Sequence, residues 1–167
     1  MKVYLASDHA GFFLKEKVRD FLQKQGYSVE DLGAYKEDAD DDYPDFIKKV
    51  AQIISTHPYE KGIVIGGDGE GEAMVANKFP GVRAGVFYGG CLPVSAIDIT
   101  GTQSDDPFAI VRLTRQHNDA NILSIGARFL NQEDALRAIM IWLETKFSKE
   151  KRHVRRIAKI EHIERTR

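Results

Sequence analysis

From Gly66 to Glu72 the chain reads Gly66-Gly67-Asp68-Gly69-Glu70-Gly71-Glu72. The glycines leave a stretch of backbone without side chains to hold a ligand off, and its amides can be aimed at negative charge. Glu72 stands just beyond them. A carboxyl held partly out of water there would have a raised pKa and could act as a general base near neutrality. The same residues also suit a tight turn between a strand and a helix, with Asp68, Glu70 and Glu72 as acids at the helix N-terminus. Nucleotide binding has little support. Glu72 occupies the place of the third glycine in G-x-G-x-x-G, and no Lys-Ser/Thr pair follows.

Three further groups could do chemistry. Asp8-His9 could form a catalytic or anion-binding pair, although a histidine after a strand is more often ordinary hydrogen-bonded structure. His117-Asn118, at the end of a helical stretch, has the same two readings. Arg152 and Arg156 are four apart, so they share a helical face and could grip a phosphate from two sides, or form a solvated basic face. The helix carrying them has no aromatic platform on which RNA bases would stack.

The elements that must position these groups follow from periodicity. Lys2 to Ser7 reads as a strand, and Phe13, Val18, Phe21 and Leu22 mark an amphipathic helix that stops near Gly26. Tyr27 to Leu32 is a second strand. An acidic loop, Glu37 to Asp42, precedes a helix over roughly Pro44 to Thr56 with an apolar stripe of Phe46, Ile47, Val50, Ile53 and Ile54. Gly62-Ile63-Val64-Ile65 has no polar alternation, as a parallel strand covered on both faces requires. The glycine segment then opens a helix to about Lys78. Val82 to Tyr88 and Ile122 to Ile125 supply two more strands, with a helix near Phe108 to Gln116 between them. Two helices finish the chain, one after an Asn131 cap and one after Ser148. This alternation predicts an α/β fold, a Rossmann-like three-layer sandwich on a five-stranded parallel sheet. In such sheets ligands bind outside the carboxyl ends of the strands, which directs attention to Ser7-Asp8-His9, Gly66 to Glu72, Tyr88 to Cys91 and Ala127-Arg128.

Composition narrows the function classes. A chain of 167 residues is the size of one domain, and 43% hydrophobic with 29% charged residues is a globular composition. With 24 Lys and Arg against 25 Asp and Glu, the net charge of -1 gives no global reason to expect nucleic acid or an acidic membrane as partner. The longest apolar runs fall far below the ~20 residues of a membrane span. The N-terminus has no secretory pattern and the single Cys91 excludes an internal disulfide and a paired-cysteine metal site, so a cytoplasmic protein is expected.

Taken together, the segments resemble the ribose-5-phosphate isomerase B and galactose-6-phosphate isomerase family. The resemblance runs through Ser7-Asp8-His9-Ala10-Gly11, Asp42-Tyr43-Pro44, the glycine loop ending in Ala76-Asn77-Lys78, and Pro80-Gly81-Val82-Arg83-Ala84. It continues through Arg115 to Asn121, Gly126-Ala127-Arg128 and Arg152-His153-Val154-Arg155-Arg156. It implies aldose-ketose isomerisation of a phosphorylated sugar in the pentose phosphate pathway, with no cofactor and no metal. It also implies one domain over residues 1–167 and a homodimer, or a tetramer of such dimers, with shared active sites. The C-terminal helix, about 148–165, would reach the partner.

By position, Asp8 and His117 resemble the residues that assist opening of the furanose ring. His9, Arg128, Arg152 and Arg156 resemble the phosphate ligands, the last two supplied by the partner subunit. Tyr43 and Asn118 match positions lining the sugar, and the amides of Gly67 to Gly71, Gly69 included, match the hole that stabilises the enediolate. Many members carry a cysteine where this chain has Gly66, which closes the thiol route; another branch carries a glutamate where Glu72 stands, and Glu72 is the expected base. Asp68 replaces the usual Thr or Ser and could pass a proton between oxygens only when protonated. The stretch from Gly89 to Pro107 is longer than the family pattern and could cap the sugar or extend the dimer contact. The expected reaction is ribose 5-phosphate to ribulose 5-phosphate. The alternatives are isomerisation of another phosphosugar, such as a hexose 6-phosphate, or binding of a sugar phosphate without turnover.

Overall fold

The computed structural model describes residues 1–166. Its elements are β1 (Lys2–Ser7), α1 (Phe12–Lys24), β2 (Ser28–Asp31), α2 (Tyr43–Thr56), β3 (Lys61–Gly66), α3 (Glu70–Ala76), β4 (Ala84–Phe87), α4 (Ala109–Asn118), β5 (Ile122–Gly126), α5 (Gln132–Glu144) and α6 (Lys151–Arg165). The strands form one sheet in the order β2-β1-β3-β5-β4, every neighbouring pair parallel. All six residues of β3 are buried, as its unbroken apolar run requires of a strand flanked on both sides and covered on both faces.

Two apolar clusters flank the sheet and account for its layers. Val3, Leu5, Ile63, Ile65, Leu123 and Ile125 point to one face, where Val18 and Leu22 of α1, Val111 of α4, and Ile139 and Trp142 of α5 cover them. Ala6, Val64 and Ile122 point to the other, beneath Ile47, Val50, Ala51 and Ile54 of α2 and Ala76 of α3. Each large aliphatic side chain buried this way is worth roughly 1.5–3 kcal/mol of transfer free energy, and the period-two alternation along each strand feeds both layers.

Several boundaries differ from those read in the sequence. β4 begins at Ala84, two residues late, because the Arg83 amide is taken by the Asn121 side chain at 2.8 Å before the ladder starts. α4 reaches Asn118 and ends on Asp119, which adopts a left-handed conformation with φ 44°. α3 stops at Ala76, short of Lys78. α6 begins at Lys151 instead of Ser148, since the Ser148 amide is spent on the Gln116 carbonyl at 3.1 Å. α6 rests on its own chain through His153, buried against His117, and through Glu164, which accepts the Gly81 amide at 2.9 Å. Among the described residues no helix is long and apolar enough to cross a membrane.

Candidate active site

At the carboxyl edge of the sheet, the glycine loop between β3 and α3 forms a floor on which other side chains lie. A Cβ at position 66 would fall 1.8 Å from Glu72 Oε1, so the carboxyl occupies the space that a side chain at 66 would need. A Cβ on Gly71 would meet the Tyr43 hydroxyl at 3.0 Å, and one on Gly67 would meet the Arg128 guanidinium at 3.2 Å. Only glycine allows all three approaches. The loop is tied down by Ala127 and Arg128, whose amides donate to the carbonyls of Gly66 and Gly67 at 2.8 and 3.0 Å, and by the Ser124 hydroxyl, which donates to the Gly69 carbonyl at 2.6 Å. Gly69 itself holds φ 83°, the left-handed conformation that starts α3.

Glu72 is only 3% exposed. Burial pushes its pKa up, with Asp8 and Asp68 adding like-charge repulsion and the amides of Glu72 and Gly69 opposing the shift. Asp8 is also buried, and desolvation raises its pKa against the pull of the Gly11 amide, which donates to it at 3.1 Å. The site therefore holds two carboxyls that resist ionisation. Asp68 is exposed, and its carboxylate accepts the Glu70 amide at 2.9 Å, capping the loop. That bond also removes the Glu70 amide from the set of donors that could face a ligand.

His9 is held by Asp41. The Asp41 Oδ1 atom accepts the His9 amide at 3.1 Å and lies 2.7 Å from Nδ1, and this contact raises the histidine's pKa, aided by Asp8 and opposed by Arg128. Asp41 was read in the sequence only as one acid of a loop, and its reach across 32 positions to His9 follows from the fold. Its other oxygen, Oδ2, is buried without a protein partner among the described residues. Asp8, His9 and Asp41 bring potential metal-ligand atoms within 4.8 Å of one another, but the His9–Asp41 contact already engages the imidazole nitrogen and one carboxylate oxygen.

The remaining residues singled out in the sequence do not join this group within one chain. His117 and Asn118 end α4 and immediately precede β5, so they lie at the amino edge of the sheet, opposite the glycine loop. There the His117 ring stacks on His153 with centroids 4.2 Å apart, and Arg152 Nε donates to His153 Nε2 at 3.0 Å. Burial, with His153 and the Arg152 guanidinium nearby, pushes the His117 pKa down and favours the neutral imidazole. Arg156 projects from the exposed side of the same helix. One chain thus carries two clusters: Asp8, His9, Tyr43, Gly67 to Glu72 and Arg128 at one edge, and His117, Asn118, Arg152 and Arg156 at the other.

Comparison with known proteins points to one family. The family model described as Ribose/Galactose Isomerase matches residues 3–90 and 99–160. The ribose-5-phosphate isomerase B of Mycolicibacterium paratuberculosis is 37% identical over 166 residues, covering 99% of this chain and 93% of that protein. Among solved structures, ribose-5-phosphate isomerase B of Clostridium thermocellum superposes with a TM-score of 0.84 at 38% identity, covering 99% of each chain. The Mycoplasma genitalium enzyme with bound ribulose-5-phosphate superposes with a TM-score of 0.86 at 32% identity, covering 99% of this chain and 97% of the other. Residues 91–98 fall between the two matched stretches.

Proposed function

The chain belongs to the ribose/galactose isomerase family, and from that premise we propose that it interconverts ribose 5-phosphate and ribulose 5-phosphate with Glu72 as the general base. The observation that carries the choice of base is the placement of its carboxyl. It is buried, its pKa is raised, and it fills the space above Gly66 in the glycine loop. In the forward reaction Glu72 takes the proton from C2 of the open-chain aldose and returns it to C1, while the O2 hydroxyl proton passes to O1. Electrons move toward the carbonyl oxygen, and the enediolate charge falls on loop amides such as those of Gly67, Gly69 and Gly71. A donor aimed in advance at such charge is typically worth ~3 kcal/mol.

The phosphate is distant from the reacting carbons and serves to orient them. His9, whose pKa the Asp41 contact raises, and Arg128 approach it from the carboxyl edge; Arg152 and Arg156 complete the grip from a second copy of the chain, which also brings His117 and Asn118. Neutral His117 can then exchange a proton with the sugar ring while Asp8 faces it, opening the furanose. This requires a homodimer with shared sites. The lone, exposed Cys91 suits a reducing, cytoplasmic setting.

The test is exchange at carbon. Wild-type enzyme in deuterated water should label C2 of ribose 5-phosphate, and Glu72→Gln should lose isomerisation by roughly 10²- to 10⁴-fold while still binding the sugar phosphate. Normal turnover in that variant would remove Glu72 from the mechanism, and absence of labelling by the wild type would reduce the protein to a binder.

A further inference from the structure

The molecule has two buried lysines in contrasting surroundings. Lys15 is fully buried and satisfied by carboxylates, Glu16 at 2.7 Å and Asp31 closer still. Lys61, at the start of β3, is 8% exposed, yet among the described residues no carboxylate lies within ion-pair distance of it. Its ammonium meets only the carbonyls of Glu60 and Tyr59, at 3.2 and 3.5 Å. Burial disfavours its charge and the neighbouring Arg115 and Arg83 disfavour it further, outweighing Asp119 and Glu60. Cations removed from water without a counter-charge are costly.

These groups line a cleft of about 630 Å³ at the amino edge of the sheet, with Lys146 and Lys149 on its wall. Five cations face it against two acids, Asp119 and Glu161, in a chain whose net charge is -1. Asp119 is already committed: it accepts Arg115 Nη1 at 2.7 Å and Arg83 Nη2 at 3.4 Å. Arg83 spends Nε, Nη1 and Nη2 on the Asn118 carbonyl, the Gly81 carbonyl and Asp119. Arg115 spends Nε on the Thr145 carbonyl and Nη1 on Asp119 and the Ala120 carbonyl, and its Nη2 has no protein acceptor among the described residues. The spare donors are the two N–H groups of Arg115 Nη2, the second N–H of Arg83 Nη1 and at least one of the three on Lys61.

We infer that this cleft binds a small phosphate-bearing anion, held by the Lys61 ammonium and the free edge of the Arg115 guanidinium, with Lys146 and Lys149 closing over it. Charge-assisted bonds from an ammonium and a guanidinium are the natural complement of phosphate oxygens, and the volume is that of a small-molecule site. The lining includes none of Glu72, Arg128, His117, Arg152 or Arg156, so the site is separate from the proposed catalytic machinery.

The probe is inorganic pyrophosphate, titrated by calorimetry into the full chain. Two classes of site are expected in the wild type. Arg152→Ala/Arg156→Ala should retain one of them, and Lys61→Met, which keeps the apolar stem, should weaken that class at least tenfold with isomerase turnover within twofold of wild type. If Lys61→Met fails to fold by circular dichroism, Lys146→Gln/Lys149→Gln replaces it and should weaken the same class several-fold. In Arg152→Ala/Arg156→Ala protein, pyrophosphate should also slow acetylation of Lys61 by acetic anhydride, read by peptide mass. The inference is overturned if the Arg152→Ala/Arg156→Ala protein binds no pyrophosphate and Lys61 labels at an unchanged rate, or if the cleft variants bind as the wild type does.

Discussion

The two edges of the sheet are prepared for opposite tasks. At the carboxyl edge, Asp8 and Glu72 are buried acids whose ionisation the site resists, set over a loop of amides. At the amino edge, His117 is pushed toward its neutral form beside Arg152, among cations. In the proposed mechanism the first edge supplies a base and a cradle for anionic oxygen, and the second a neutral proton carrier and phosphate-gripping charge. Within one chain the sheet separates them, so neither edge can perform the whole reaction. The proposed mechanism therefore needs a second copy of the chain to join the two ends.

The sharpest way to break this picture is complementation. Glu72→Gln and Arg152→Ala proteins should each be strongly impaired alone. Mixed and refolded together, they should regain activity, because each hybrid dimer contains one site with both native residues. Random pairing predicts about a quarter of wild-type activity. Recovery of none would place Arg152 and Glu72 in the same subunit's site, contrary to their positions on opposite edges.

A smaller loss tests the carboxyl edge alone. Gly66→Ala introduces a Cβ that would sit 1.8 Å from Glu72 Oε1, so the carboxyl must move. Misplacing a catalytic group by about 1 Å costs on the order of 10²-fold in kcat. Turnover should fall by that amount with little change in the Michaelis constant for ribose 5-phosphate, whose phosphate contacts lie elsewhere. An unchanged kcat would mean that the Glu72 carboxyl does not need its present position.

Much of this was legible in residue order. The unbroken Gly62 to Ile65 run marked a doubly covered strand, and β3 is buried throughout. The 3.6-residue stripe from Phe46 to Ile54 marked α2, whose Ile47, Val50 and Ile54 sit in the core. Glu72 stood out because it follows a segment that only backbone occupies. The placement of His117 and Asn118 is legible too, since residues that precede a parallel strand lie at its amino edge. Asp41 could not be singled out, since its neighbours in sequence are equally acidic and only the path of the chain between β2 and α2 brings it to His9. The short β4 was equally hidden, because the Asn121 side chain that intercepts Arg83 comes from 38 positions away.

The Asp41–His9 contact permits a milder test of phosphate affinity. The His9 side chain is 31% exposed, so solvent screens the pair and the effect should be modest. Asp41→Asn should raise the Michaelis constant roughly two- to fivefold at neutral pH with kcat preserved. It should also move the alkaline loss of affinity to lower pH, since Asp41 is the largest cause of the raised His9 pKa. A fall in kcat without a change in the Michaelis constant would assign Asp41 to the chemistry instead of the phosphate.

The smallest expected effect is on stability, and it has the opposite sign from the effect on rate. Glu72 binds its proton more tightly in the folded protein than in the unfolded chain, because burial disfavours the anion. Its contribution therefore favours folding at low pH and turns unfavourable as pH rises through its unfolded value toward its folded one, remaining so above it. Glutamine has nearly the shape of the protonated acid and carries no charge at any pH. Glu72→Gln should accordingly unfold at a higher temperature than the wild type at pH 8, by a few degrees, since about 1 kcal/mol shifts the midpoint of a chain this long by ~2–4 °C. The difference should shrink below pH 4, where the wild-type carboxyl is protonated in both states. If thermal unfolding instead showed Glu72→Gln destabilised at pH 8, the carboxylate would be stabilising the fold, and the carboxyl edge would no longer be a place that resists the ionisation of its own acid.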